Sequence, residues 1–495
     1  MRHLLITTTL TIFALVSLSG CGGVNRSILT AYAAKVVGSA VYVGQRPKDT
    51  ALREEMFLGR QLHHFIKMQY EPPPEEEPEW AIITARGFGG SFVRSAFYKR
   101  GRGVTLLPKG VVVEDFTFNE PFERPKAPQV KTLPSATLSP RQSKEIEGFL
   151  DWAFAESQGN FTRKRTRAVL VLKDDKVIAE RYAPGFSAST RFMSWSMAKS
   201  FLNALVGILV NKGEMKIHDK LSADEWSDSE EKKEITVDQL LHMTSGLKFR
   251  SSIKIATDES KMLFLAKDMA NYAASQALEK EPGTRWLYSS GNSLILSRHI
   301  KKILGKEEYL DFIYRELLFK IGMSSAVVET DLTGTWVASS YLYATARDFA
   351  RFGQVYLHNG VHNGERLFPS WWIPYTEEAL SLSNKAGYGA HFYSNDHNIW
   401  KDLPTDTLMA KGFLGQLIAI IPSKGIVAVR LGNTVFARDW SPVKFLKELL
   451  RVLPEDSSEG FVKDESREFK HKLGKEKKRL RKIWSNYIQR PVDEF

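Results

Sequence analysis

Arg191-Phe192-Met193-Ser194-Trp195-Ser196-Met197-Ala198-Lys199-Ser200-Phe201 is the stretch on which the reading of this chain turns. It sets Ser196 three residues ahead of Lys199, at the head of an apolar run that continues to about Val210. Residues three apart on a helix share a face, with Cβ atoms roughly 5–6 Å apart, so the ammonium comes within reach of the hydroxyl. A serine at a helix N-terminus also lies at the positive end of the macrodipole, which favours the charge a nucleophilic oxygen develops. The Ser-x-x-Lys spacing alone carries little, because Ser229/Lys232, Ser245/Lys248, Ser251/Lys254 and Ser441/Lys444 repeat it. Only Ser196 opens a long apolar helix, in which Ala198, Phe201, Leu202, Leu205, Ile208 and Leu209 recur at helical spacing before Asn211-Lys212-Gly213 stops it. The competing reading is a capping serine beside a solvated lysine.

On either side of this stretch the chain alternates strand and helix signals. Arg167–Leu172 and Val177–Tyr182 are β-rich and separated by Lys173-Asp174-Asp175-Lys176, which predicts a hairpin. Thr236 and Gln239 form a capping box for a short helix through His242. Further helices are predicted at 292–304, at 307–321 before Gly322, and at 346–358, the last with Thr345 and Asp348 as a capping box. Leu417–Ile421, the turn Pro422-Ser423-Lys424-Gly425 and Ile426–Leu431 make a second hairpin, followed by an amphipathic helix from Pro442 to Val452. Strands at both ends with helices between them predict an α+β domain over 143–453, one sheet with helices on its faces and a helical insertion.

The flanks differ in kind. Met1-Arg2-His3, the apolar run Leu4 to Leu18 and Leu18-Ser19-Gly20-Cys21 give residues 1–21 the form of a secretory signal. The tetrapeptide resembles a bacterial lipoprotein signal, in which Cys21 becomes the acylated first residue and ties the protein to a membrane in the cell envelope. Cys21 is the only cysteine among 495 residues, so no intramolecular disulfide can form. Residues 22–142 read as an N-terminal extension and linker. They contain apolar stretches at Val36–Val43 and Val111–Val113, an acidic proline-rich loop at 71–78, and a Gly87-Phe88-Gly89-Gly90 turn that lacks the spacing of a nucleotide loop. One segment of the tail, 454–495, is strongly basic: Lys463 to Lys482 holds ten basic against four acidic residues, an excess equal to half of the net charge of +12. Such a tail can attract anionic lipid or acidic polymer and says nothing of nucleic acid recognition by the domain.

A Ser/Lys nucleophile needs a third group to move protons. Tyr288 lies in Pro282-Gly283-Thr284-Arg285-Trp286-Leu287-Tyr288-Ser289-Ser290-Gly291-Asn292, a Ser/Gly turn leading into an apolar helix. A phenol beside a lysine ammonium is expected to have its pKa lowered, so that it can take the Ser196 proton and return it to a leaving group. In Ala410-Lys411-Gly412-Phe413-Leu414-Gly415-Gln416 the glycines allow close backbone approach, and an exposed strand-edge N–H can serve as an oxyanion donor. No His-Glu-x-x-His or other metal-ligand cluster stands out, His63-His64 reads as an exposed pair, and no Gly-x-Ser-x-Gly elbow is present. No cofactor or metal is expected. The eleven tryptophans suggest an aromatic-lined pocket or simply core packing.

Together these stretches resemble the serine hydrolases of the penicillin-binding protein and class C β-lactamase superfamily, above all the branch of 6-aminohexanoate-dimer hydrolases and related esterases. Ser196-Met197-Ala198-Lys199, Leu240 to Leu247, Pro282 to Asn292, Tyr343 to Gly353 and Gly412 to Gln416 carry the likeness, which spans roughly 145–452. The resemblance implies a β-lactamase/transpeptidase-like fold, with an antiparallel sheet flanked by helices and a helical insertion subdomain. It implies Ser196 as acylated nucleophile, Lys199 as its partner and Tyr288 as general base and acid. The N–H groups of Ser196 and Phe413 would form the oxyanion hole, with Gly412, Asn292 and Gln416 at the substrate. Two departures bear on substrate. Ser290 fills the position of the asparagine in Tyr-x-Asn, and Ala410 stands where β-lactamases carry the lysine of Lys-Thr-Gly. The resemblance therefore implies a small ester or amide as substrate. The rival readings are a D-alanyl-D-alanine peptidase or β-lactamase, and a catalytically silent envelope lipoprotein.

Overall fold

The structure is a computed structural model that describes residues 22–56, 62–76, 78–110, 123–156, 163–252, 256–383 and 386–453. Cys21, Val111–Val113 and the basic tail lie outside these residues.

Helix α1 (Gly22–Tyr32) opens the described chain and runs on through Ala33–Val37 and Gly38–Tyr42. The apolar stretch Val36–Val43 is buried and helical up to Tyr42. Strands β1 (Ile66–Glu71), β2 (Trp80–Gly87), β3 (Phe92–Lys99) and β4 (Gly103–Leu106) form an antiparallel meander, with Phe88, Gly89 and Gly90 in left-handed conformations at the β2–β3 turn. Helix α2 (Pro140–Phe154) follows, capped by the reciprocal Ser139/Gln142 pair. Strands β5 (Thr166–Lys173) and β6 (Lys176–Tyr182) make the first predicted hairpin. Its two central residues, Asp174 and Asp175, take φ of 48° and 64°, the twist that matches a two-residue turn to its strands.

After the short strand β7 (Phe192–Met193) comes helix α3 (Ala198–Asn211), and the insertion then supplies α4 (Asp258–Leu265) and α5 (Ser290–Leu304). Strands β8 (Val327–Val328) and β9 (Leu342–Ala344) join β7 in a small sheet of order β7-β9-β8. Helix α6 (Ala346–Leu357) leads to β10 (Tyr393–Ser394), β11 (Leu408–Gly412), β12 (Gln416–Ile421) and β13 (Ile426–Gly432), and α7 (Pro442–Val452) closes the domain.

The main sheet has the order β10-β11-β12-β13-β5-β6, all antiparallel, so the last hairpin completes the sheet that the first began. Both faces are covered. Ile418, Ile420, Val427 and Val429 pack with α3 and α6 in one core, while Leu417, Ala419, Ile421 and Ala428 pack with α2 and α7 in the other. Alternate side chains on a strand point to opposite faces, so a double-sided sheet requires the nearly unbroken apolar runs seen here. Gly353 permits the approach of α6: a Cβ there would lie 2.4 Å from Val427 Cγ1. Residues 22–43 belong to the same core as α3, so the extension is seated on the domain.

Local predictions differ from the structure in two ways. The Thr345 hydroxyl accepts the Asp348 N–H, but the Asp348 carboxylate turns to the Ser325 N–H, 3.0 Å away, and to its hydroxyl, so only half the capping box forms. The predicted helix at 307–321 is Lys306–Phe312 followed by a π-helical turn, Ile313–Leu318. The Thr236/Gln239 box forms in full.

Candidate active site

Ser196 sits at the junction of the small sheet and α3. Strand β7 pairs with β9, and the Ser194 N–H continues this pairing to Leu342 O at 2.8 Å. Trp195 then takes φ 48°, and Trp195–Met197 form a 3₁₀ turn that delivers Ser196 to the mouth of α3. A tryptophan in the left-handed region costs on the order of 1–3 kcal/mol and persists only where its surroundings fix it. Here the ring is buried and meets Phe413 edge-on, with centroids 5.4 Å apart. The predicted helix thus begins two residues after Ser196.

Lys199 lies in the first turn of α3 and is 1% exposed. Its Nζ is 3.2 Å from Ser196 Oγ, 3.0 Å from Ser290 Oγ and 3.0 Å from the Ser339 carbonyl. Burial pulls its ammonium down to about 8, and the nearby Glu259 opposes that fall. His391 braces the same turn: Nδ1 lies 3.1 Å from Lys199 O, and its own carbonyl accepts the Ser200 hydroxyl at 2.8 Å. Burial and the lysine charge hold this imidazole neutral, near 3, so Nδ1–H donates and Nε2 accepts from Ser293, 3.3 Å away.

Tyr288 faces the same pair, its phenol interacting with Ser196 and its ring 5.0 Å from Lys199 Nζ. The structure reverses the expected direction of its pKa. Burial, with Tyr393 and Glu259 nearby, raises the phenol well above its ordinary value, and the Ser196 bond offsets little of this. A phenol held protonated here is a proton donor. Tyr288 stands edge-on to Tyr388 at 5.6 Å, Tyr388 edge-on to Tyr393 at 4.8 Å, and Trp286 lies 5.9 Å from Tyr388. The aromatic residues of this wall were not individually evident in sequence.

The end of β11 approaches from a third direction. At Gly412 a Cβ would lie 2.3 Å from Ser194 O, so only glycine lets this strand close on the serine turn. Leu414 and Gly415, with φ of 62° and 84°, then reverse the chain into β12. Phe413 is carried on that turn beside Trp195. The Gln416 amide is engaged within the fold: its Nε2 donates to Phe413 O at 3.0 Å and Gly432 O at 2.8 Å, and its Oε1 accepts the Gly432 N–H at 3.0 Å. It clasps the turn to β13. Asn292 is likewise internal, 1% exposed, with Oδ1 accepting the Ser245 hydroxyl at 2.9 Å. Ala410 is buried in the core, and the Lys411 ammonium rests 3.3 Å from the centre of the Tyr393 ring.

Two other Ser-x-x-Lys pairs are helix caps, since Ser229 and Ser441 accept the N–H groups of Lys232 and Lys444. Sequence reasoning missed Glu259, Ser339 and His391, which no local motif marks. Ser290 was visible only as the departure from Tyr-x-Asn.

The family model described as Beta-lactamase matches residues 158–443. A 6-aminohexanoate-dimer hydrolase of Paenarthrobacter ureafaciens is 24% identical over 288 residues, covering 50% of this chain and 72% of that protein. Among solved structures, a Bacillus anthracis protein provisionally named 6-aminohexanoate-dimer hydrolase superposes with a TM-score of 0.53 at 21% identity, over 66% of this chain and 90% of the other. EstCE1, a hydrolase with promiscuous acyltransferase activity, superposes with a TM-score of 0.52 at 14% identity, over 63% and 98%. The fold is β-lactamase/transpeptidase-like.

Proposed function

Since this chain belongs to the Beta-lactamase family and is a serine hydrolase, we propose that it cleaves a small ester or linear amide through an acyl-enzyme on Ser196. The observation that carries this reading is the pairing of opposite proton habits on one oxygen. A lysine that can be neutral near pH 8 lies 3.2 Å from Ser196 Oγ, and a phenol that stays protonated interacts with the same serine.

In the proposed reaction neutral Lys199 takes the Ser196 proton as Oγ bonds to the substrate carbonyl carbon, and the carbonyl π pair moves onto oxygen. Backbone N–H groups of Ser196 and Phe413 receive that oxyanion. Collapse re-forms the carbonyl and breaks the bond to the leaving alcohol or amine, which takes its proton from Tyr288; the Lys199 ammonium restores the phenol. Water repeats the sequence on the acyl-enzyme, returning Ser196 and releasing the acid. Of the site residues read from sequence, Ser196, Lys199, Tyr288, Phe413 and Gly412 remain in this reading, while Asn292 and Gln416 hold the frame.

Ester and linear-amide substrates rank first because Ala410 offers no charge to a substrate carboxylate. A charge-assisted hydrogen bond contributes roughly 1.5–3 kcal/mol. The name of the Paenarthrobacter ureafaciens relative, a 6-aminohexanoate-dimer hydrolase, supports the linear-amide part of this ranking. Fluorophosphonate labelling, with p-nitrophenyl esters, linear amides and nitrocefin as substrates, tests the reading. Labelling at Ser196 and loss of turnover in Ser196→Ala are expected. Labelling of another serine rejects it, and nitrocefin outpacing every ester and amide replaces it with a cell-wall activity.

The Leu18-Ser19-Gly20-Cys21 signal supports anchoring in the cell envelope through lipid on Cys21, with Gly22 in place of aspartate favouring the periplasmic face of the outer membrane. Two or more acyl chains anchor stably where one does not. Mass spectrometry of the mature N-terminus is expected to find diacylglyceryl-cysteine, and an unmodified Cys21 rejects the anchor.

A further inference from the structure

Lys199 has three hydrogen-bond partners, and their chemistry dictates which way its lone pair points. The Ser339 carbonyl, 3.0 Å away, can only accept. Ser290 has one hydroxyl hydrogen, and that hydrogen lies on Glu259 Oε1, a carboxylate oxygen 2.6 Å away that also only accepts. Ser290 Oγ must therefore accept from Lys199, 3.0 Å away. A neutral amine has two N–H groups and one lone pair. With both N–H groups committed to Ser339 and Ser290, the lone pair is left on the side of the third partner, Ser196 Oγ at 3.2 Å.

We infer that Glu259 is a positioning residue for the hydrolysis, which through Ser290 turns the neutral Lys199 amine so that its lone pair faces the nucleophile. This rests on the proposed role of Ser196 and adds a residue joined to Lys199 through Ser290. Glu259 stands in the first turn of α4, its N–H bonded to Arg250 O at 3.3 Å, so the insertion supplies the group that orients a side chain of α3. The backbone N–H of Ser290 is bonded to Ser251 Oγ at 3.3 Å, which fixes the relay from the other side. Replacing the carboxylate by an amide can reverse the relay. A glutamine at 259 can donate to Ser290 Oγ, which frees the Ser290 hydrogen to bond the Lys199 lone pair and turn it from Ser196.

The ionisable groups facing Lys199 are Glu259, the Tyr288 phenol and His391, which is neutral. Glu259 is the anion of this set and favours the ammonium, so its removal must lower the lysine pKa.

The test compares wild type, Glu259→Gln, Glu259→Asp and Ser290→Ala in full-length protein, using p-nitrophenyl ester kinetics across pH and fluorophosphonate labelling. Glu259→Gln is expected to lower kcat about ten- to a hundredfold with KM changed less than about threefold, a smaller loss than the roughly 10²–10⁴ of a group that itself transfers the proton. Its acid limb in kcat/KM should move to lower pH, and Glu259→Asp, which keeps an acceptor, should recover part of the rate. Ser290→Ala removes the relay with a smaller side chain and should lose rate similarly, which keeps the test decisive if Glu259→Gln fails to fold. A merely structural glutamate would lower the melting temperature and leave the acid limb where it was. Wild-type kcat in Glu259→Gln, or an unmoved limb, overturns the inference. Wild type labelled at a serine other than Ser196 fails the functional reading itself, and the inference falls with it.

Discussion

Lys35 and Lys199 are both buried on helices, each with a serine within one turn and an aromatic face above it. Nζ of Lys35 lies 4.2 Å from the centre of the Tyr341 ring, and that of Lys199 lies 5.0 Å from Tyr288. They differ in where the compensating carboxylate sits. Lys35 is bonded directly to Glu329, which also accepts the Ser39 hydroxyl and the Val104 N–H, each at 2.8 Å. Lys199 meets its carboxylate only through Ser290. Burial lowers both ammonium groups. At Lys35 the adjoining anion pulls back strongly, whereas at Lys199 the more distant one leaves the amine at about 8. One serine inserted into an ion pair separates a lysine that fastens from a lysine that can exchange a proton.

Substituting each lysine by methionine puts that contrast under the most strain. Lys199→Met is expected to lower kcat by about 10²–10⁴, the range of a positioned base, while the melting temperature holds or rises, because an apolar replacement removes the cost of burying an amine. Lys35→Met should do the reverse. Glu329 is then buried without its cation, which costs roughly 3–5 kcal/mol, yet Ser196 in the folded fraction should label at the wild-type rate. Urea melts beside fluorophosphonate kinetics would show whether the two lysines separate in this way; loss of labelling in folded Lys35→Met would merge them.

Acidity sharpens the contrast further. The base form of Lys199 is lost below about 8, so kcat/KM should fall tenfold per pH unit on that side, with a limb that Lys35→Met leaves in place. The smallest effect is on stability. The folded pKa of Lys199 is depressed from 10.5 to about 8, so its contribution to stability is present above the unfolded value and is lost as pH falls through about 8. A gain on the order of 3 kcal/mol between those limits is expected in wild type and should be missing from the pH-dependent melts of Lys199→Met.

Whatever depended on neighbours in sequence was legible. The Asp174-Asp175 hairpin, the apolar helix behind Ser196, the Thr236/Gln239 cap and the Pro442 helix all follow from periodicity and turn chemistry, which act over a few residues. Strands at both ends of the domain with helices between them also foretold one sheet with helices on its faces. What stayed hidden was set by approach in space. Glu259 of α4 is joined to Lys199 of α3 only through Ser290, at the start of α5, and Gln416 is drawn into β13 by the Gly432 peptide. The direction of the Tyr288 shift was misjudged for the same reason: a neighbouring lysine can be inferred from the motif, but the depth of burial that outweighs it cannot. The apolar stretch Val36–Val43 could not disclose that Lys35, just ahead of it, would be matched by Glu329.

The distance along the chain between Lys35 and Glu329, 294 residues, has a consequence for the order of assembly. Contacts this remote close late, since most of the intervening chain must be arranged before they return any free energy. Arg191, at the start of the serine stretch, donates to Val43 O and Ser325 O, so the amino-terminal helix and the Ser196 turn share an attachment. The earliest-made segment is thus a keystone set last. In refolding, reactivity at Ser196 should trail the recovery of helical signal, and a chain cut to the family-matched span would be an arch without it.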